Sequence, residues 1–247
     1  MKKMYTGSFL RSRWSMLLVP LLFGAVFTGC RDDEAETDIG YGYFPTQVGH
    51  WVVYEVDSTV YDDFEGDTDV YRYQIKELLE SSFTDNEGRP AIRVERYKRW
   101  YDPNLSYDSI PWYLSRVWAF TRTTNSAEKL EENERFIRLS FPVTHGRAWD
   151  GNAFNTIGRW TYTFRAADES YTINSIACDS TALVEQKKEI NGLTHRVYTE
   201  RYAKNIGMIE KNVIDVSDDN IGPVGTVPTR IHSGVIYNIR MVDYGPR

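Results

Sequence analysis

Cysteine is scarce in this chain: Cys30 and Cys178 are the two among 247 residues. A disulfide framework beyond one bridge is excluded, and no C-x-x-C pair exists for metal or redox work. Histidine is nearly as sparse. His50, His145, His195 and His232 lie far apart with no H-x-x-x-H pair, so a histidine-built metal centre has no local support and turn or surface positions account for them. There is no G-x-S-x-G and no phosphate loop, which leaves serine-hydrolase and nucleotide chemistry without a motif. No long amphipathic helical stripe occurs. The apolar run Met16–Val26 is interrupted by Pro20 and Gly24 and falls short of the roughly 20 apolar residues that a membrane span needs.

That run does suit an export leader. Lys2, Lys3, Arg11 and Arg13 precede it with no acid among them, and Phe27-Thr28-Gly29-Cys30 closes it. The arrangement resembles bacterial lipoprotein precursors, with small residues before the cysteine and Phe27 where Leu is usual. The resemblance implies cleavage after residue 29 and lipidation of Cys30. Loss of residues 1–29 takes Lys+Arg from 29 to 25 against 35 Asp+Glu, a formal charge of −10. Such a body offers no footprint for nucleic acid and little attraction to anionic lipid, so several acyl chains on one cysteine would hold it at a membrane. A lipidated Cys30 leaves Cys178 unpaired; its neighbours Ile176 and Ala177 point to a buried, inert thiol.

Asp32, Asp33 and Glu34 follow the cysteine at once. They resemble the signal that carries lipoproteins of the Bacteroidota to the outer leaflet, which implies an outer-membrane, surface-exposed location. They also suit a solvated tether, here residues 30–43. Beyond it, residues 44–247 read as one domain. Strand-like runs occur at 51–57, 70–76, 91–101, 115–122, 135–141, 159–165, 171–178, 181–190, 194–203, 208–216 and 230–242, separated by turn residues. Asn191-Gly192 is a strong hairpin signal, which pairs 182–190 with 194–203, and Asn205-Ile206-Gly207 pairs 194–203 with 208–216. The buried face is expected to carry Tyr198, Tyr202, Val235, Tyr237 and Ile239. Two short windows, Ile75–Ser82 and Ser126–Glu134, are expected to make helical turns. The fold class is therefore mainly β, a single antiparallel curved sheet or half-barrel with few short helices.

Two segments sharpen the resemblance. Residues 43–54 (YFPTQVGHWVVY) and 201–211 (RYAKNIGMIEK) are similar to segments of uncharacterised Bacteroidota outer-membrane lipoproteins. This implies an envelope protein with a β body and implies no activity. Three tripeptides starting at Asp57, Asp108 and Asp179 match an O-glycosylation sequon of that group, with Ser58, Ser109 and Ser180 as acceptors that must then be exposed. Asp-Ser-Thr is equally ordinary turn chemistry.

Two resources remain for binding. Asp62, Asp63, Glu65, Asp67 and Asp69 crowd one loop; they offer oxygens to calcium, although Thr68 stands where an EF-hand needs glycine, and a solvated hairpin tip fits as well. No other cofactor is indicated. Aromatics crowd residues 100–118, where Trp100, Tyr101 and Trp112 lie nearest to Pro103 and Pro111. They fill a β core or stack on a ligand. The sequence thus points to a lipid-anchored, non-enzymatic envelope protein that binds a glycan, an apolar molecule or a partner protein. A secreted glycoside hydrolase and a periplasmic lipid carrier with a half-barrel are the alternatives.

Overall fold

The computed structural model describes residues 38–62, 66–218 and 231–246. Twelve strands follow one another: β1 (Trp51–Tyr61), β2 (Thr68–Thr84), β3 (Pro90–Trp100), β4 (Tyr113–Arg122), β5 (Ser126–Glu131), β6 (Glu134–Ser140), β7 (Ala148–Asp150), β8 (Thr161–Ile173), β9 (Ile176–Ile190), β10 (Thr194–Ala203), β11 (Gly207–Ser217) and β12 (Ser233–Gly245). They form one antiparallel sheet in the order β6-β5-β4-β3-β2-β1-β12-β11-β10-β9-β8-β7. Each strand is paired with its sequence neighbours except β6 and β7, which form the two edges, and the first and last strands pair in the middle. The mainly β, curved-sheet fold expected from the sequence is the fold observed.

Curvature has a visible source. Register shifts interrupt the ladders at Val53/Tyr54, Leu79/Ser81, Arg96/Tyr97, Ala127/Glu128, Tyr198/Thr199 and Arg201/Tyr202. Each such bulge adds a residue to one strand and steepens the local twist. The sheet rolls until its two ends meet, giving a nearly closed barrel. There Ile137 N donates to Gly151 O at 2.9 Å and the Trp149 indole N–H donates to Ile137 O at 2.9 Å.

Period-two alternation fixes what lies inside. Opposite residues such as Tyr54 and Ile75, or Leu79 and Val94, share the inner face. One apolar cluster joins Val52, Tyr54, Val56, Ile75, Ile209, Ile239 and Met241. A second joins Tyr43, Phe44, Leu139, Phe141, Tyr162, Phe164 and Tyr202. Chain entry belongs to the body: Tyr41–Tyr43 makes a 3-10 turn, and Arg122 Nη1 donates to the carbonyls of Tyr41 and Phe44. The ordered body therefore reaches back before residue 44.

The expected pairings of β9 with β10 and β10 with β11 are present. Tyr202 and Ile239 are buried, while Tyr198, Val235 and Tyr237 are half-buried. The Asn191 side chain closes the β9–β10 hairpin by accepting from Leu193 N and Thr194 N. The two expected helical turns are corrected. Residues 75–82 lie inside β2, and residues 126–134 form the β5–β6 hairpin. That hairpin turns on Glu132 and Asn133, both at positive φ, a two-residue turn without the usual glycine. The expected strand 171–178 is also a hairpin, turning on Asn174 and Ser175 at φ 45° and 68°.

Candidate functional site

The barrel interior is polar at its centre. Across β2 and β3, Glu77 faces Arg96, and their side chains meet at 2.9 Å. Lys129 on β5 reaches Glu77 at 3.5 Å and Glu131 at 3.2 Å. Arg138 on β6 binds Glu131 at 2.9 Å and approaches Glu200 at 3.6 Å. Lys211 on β11 completes the chain at 2.9 Å from Glu200, which also accepts from the Tyr202 hydroxyl at 2.5 Å. Four cations and three carboxylates thus alternate across the barrel. Burial pushes Glu131 upward, but Arg138 and Lys129 outweigh it and hold its carboxyl far below the usual range. Glu200 is likewise pushed up by burial, yet Lys211 and Arg138 bring it down to about 2. The enclosed space beside this chain is about 40 Å³, walled by Tyr54, Glu77, Lys129, Arg138, Glu200 and Tyr202 among others. That is room for roughly three water molecules.

At one end of the same inner face the surface opens. β3 runs Ile92, Val94, Arg96, Lys98, Trp100 along this face, changing from apolar to cationic to aromatic. Trp100 is 45% exposed and packs edge-on against Tyr73 of β2, with ring centres 5.1 Å apart. Tyr113, Leu114 and Val117 of β4 are also exposed. Lys98 Nζ lies 3.4 Å from the Trp100 ring centre and 3.7 Å from that of Tyr73. A groove of about 390 Å³ runs between β2, β3 and β4, lined by Tyr73, Arg96, Lys98, Tyr113, Leu114 and Arg116 among others.

The sequence-derived candidates fall in different places. Trp100 and Tyr101 are both exposed at the end of β3, but on opposite faces: Tyr101 lies against Arg72 and packs on Tyr107 with ring centres 6.0 Å apart. Trp112 is not beside Trp100 either. It is half-buried on the other face, stacked 4.2 Å from the Arg99 guanidinium. The cations Arg96, Lys98 and Arg116 were missed in the sequence; their spacing of two with Trp100 in β3 is the signal that could have found the first two.

Among the proposed acceptors, Ser109 is exposed in a 3-10 turn. Ser58 is buried on the inner face of β1, which does not meet the exposure an acceptor needs. Ser180 is half-buried, and its hydroxyl is engaged by Tyr43 and Asp168. Asp62, Asp67 and Asp69 flank the β1–β2 turn; Asp63 and Glu65 lie outside the described residues, as do Cys30, Asp32, Asp33 and Glu34. Among the described residues, no group of three acidic, histidine or cysteine side chains is arranged to hold a metal ion. Cys178 is buried, and burial followed by the charge of Asp179 raises its thiol.

The two segments that carried the sequence resemblance touch. The His50 ring bonds Ile206 O at 2.9 Å, and the Tyr54 hydroxyl donates to Met208 O at 2.9 Å. No protein-family model matches the chain, and no curated protein matches it. A solved structure from Bacteroides fragilis, described as a protein inferred to be exported and to have a YmcC-like fold, matches with a TM-score of 0.43 and 10% identity, over 82% of this chain and 98% of that one.

Proposed function

We propose that the chain is a non-catalytic, lipid-anchored protein of the bacterial outer membrane that binds a glycan at the open end of its barrel. The observation that carries this reading is the exposed aromatic pair Trp100 and Tyr113, on the face of the sheet that carries Lys98 and beside Leu114, where β3 ends and β4 begins. Flat rings held half out of a rigid sheet are suited to stacking on sugar faces, and apolar area left in water marks a contact surface. The lipid anchor rests on the leader and Cys30 alone.

Two further observations favour binding over the alternatives. A glycoside hydrolase needs one carboxyl raised to act as general acid. Among the described residues, the carboxyls that are displaced, such as Asp85, Glu95, Glu131 and Glu200, all move downward. A lipid carrier needs an apolar cavity of several hundred Å³, whereas the interior space here is about 40 Å³ and has Glu77, Lys129, Arg138 and Glu200 among its walls.

The test is a panel of envelope and plant polysaccharides presented to the full chain and to Trp100→Ala. Retention by at least one polymer, weakened about fivefold or more in the variant, is expected for an aromatic anchor. Equal retention of both proteins would remove the aromatic patch from the binding surface.

A further inference from the structure

The open groove gathers more positive charge than its counterions cover. Arg96 and Arg116 are directly opposite across β3 and β4, and like charges in that relation destabilise a sheet. Each has one acid: Glu77, shared with Lys129, at 2.9 Å from Arg96, and Glu132 at 2.9 Å from Arg116. Lys98, between them and Trp100, has no carboxylate partner among the described residues. The groups that face it are Tyr73 from β2, Arg96 and Trp100 from its own strand, and Tyr113 and Arg116 from β4. Tyr237 of β12 interacts with both Tyr73 and Arg96. The surroundings are thus rings and cations, in a body of formal charge −10 after its leader.

We propose that this groove binds the anionic group of an acidic saccharide, a uronate carboxylate or a sulfate ester, with Lys98 as the charge partner and Trp100 and Tyr113 against the sugar ring. The inference rests on the glycan reading above and narrows it to polyanionic glycans. An arriving anion would relieve the mutual repulsion of three cations and make a charge-assisted bond where none exists now. Burial, then the charges of Arg96 and Arg116, brings the Lys98 amine down to about 8. Binding should therefore weaken as pH rises through about 8, because the deprotonated amine no longer attracts the anion.

The experiment compares the full chain with Lys98→Gln and Lys98→Arg, each checked by thermal melting for an intact fold. Polygalacturonate, dextran sulfate and neutral dextran are the polymer probes; free glucuronate, sulfate and glucose are the small ones, titrated calorimetrically. We expect polyanion binding that drops about fivefold in Lys98→Gln, is kept in Lys98→Arg, and falls between pH 7 and pH 9. A preference for one polyanion identifies the carboxylate or the sulfate as the group taken. Neutral dextran bound as tightly as the polyanions, with Lys98→Gln unaffected, would overturn the anion site and leave the glycan reading standing. Glucuronate or sulfate binding that depends on Lys98, without retention of any polymer, would uphold the anion site and end the glycan reading. No binding of either small anion or polyanion would overturn the inference.

Discussion

Arg138 is the hinge of the interior charge chain. It is 5% exposed, holds Glu131 at 2.9 Å and Glu200 at 3.6 Å, and has no partner at Nε. Buried charges are costly to leave unpaired, so removing one partner costs more than the pair contributes. Arg138→Met would leave Glu131 and Glu200 to Lys129 and Lys211 alone; urea unfolding should show a loss of about 3 kcal/mol. The same carboxylates set the response to acid. Glu200 lies at about 2 in the folded chain against an ordinary 4.5. Its stabilising contribution is complete above pH 4.5 and is lost as pH falls from there towards 2. Stability should therefore decline over that window, and Glu200→Gln should flatten the decline while lowering stability at neutral pH. A urea series at pH 7, 4 and 3 would show it; parallel slopes for both proteins would assign the acid response to other groups.

Among the elements, the seam between β6 and β7, the two edges of the sheet, decides whether the sheet stays rolled. Gly151 just past β7 accepts from Ile137 N, and its own N–H donates to Trp160 O at 2.9 Å. A Cβ at Gly151 would lie 2.4 Å from the buried ring of Tyr162. Gly151→Ala should therefore destabilise by about 1–3 kcal/mol through overpacking, read as a lower urea midpoint. In a Tyr162→Leu background the same change should cost less, since the clash is with the ring. Strands were legible in the sequence wherever alternation met a recognisable turn, as at Asn191 between β9 and β10. Hairpins on Glu132-Asn133 and Asn174-Ser175 were hidden, because neither pair contains the glycine that marks a positive-φ turn. β5 read as a charged helix because Glu128, Lys129 and Glu131 have buried partners only in the folded sheet: Arg135 at 2.9 Å, Glu77 at 3.5 Å and Arg138 at 2.9 Å. The aromatic cluster at 100–118 was visible as composition. Its split, with Trp100 on the inner face and Trp112 on the other, was not, since the chain after β3 folds back to stack Trp112 on Arg99 of the outer face.

As a whole, the molecule joins a closed, charge-stitched interior to an open aromatic and cationic end. The meander keeps neighbouring strands together, and the β1–β12 pair ties its termini. The segments 43–54 and 201–211, far apart in sequence, meet beside the interior cavity, whose walls include Phe44, Pro45, Ile206 and Met208. Among the described residues no helix is long and apolar enough to cross a membrane. The proposed attachment rests on the leader and one residue, Cys30, followed by Asp32, Asp33 and Glu34. With a formal charge of −10, the mature body would be repelled by anionic lipid rather than held by it. Stable attachment then requires the acyl chains, because electrostatics supplies no second signal. Cys30→Ser should abolish labelling by a radioactive fatty acid and shift the chain from the membrane to the soluble fraction. Asp32, Asp33 and Glu34 replaced together by Ala should keep the label but reduce cleavage by protease added to intact cells. Equal cleavage would reduce the acids to a tether, and membrane retention of a correctly processed Cys30→Ser chain would remove the anchor itself.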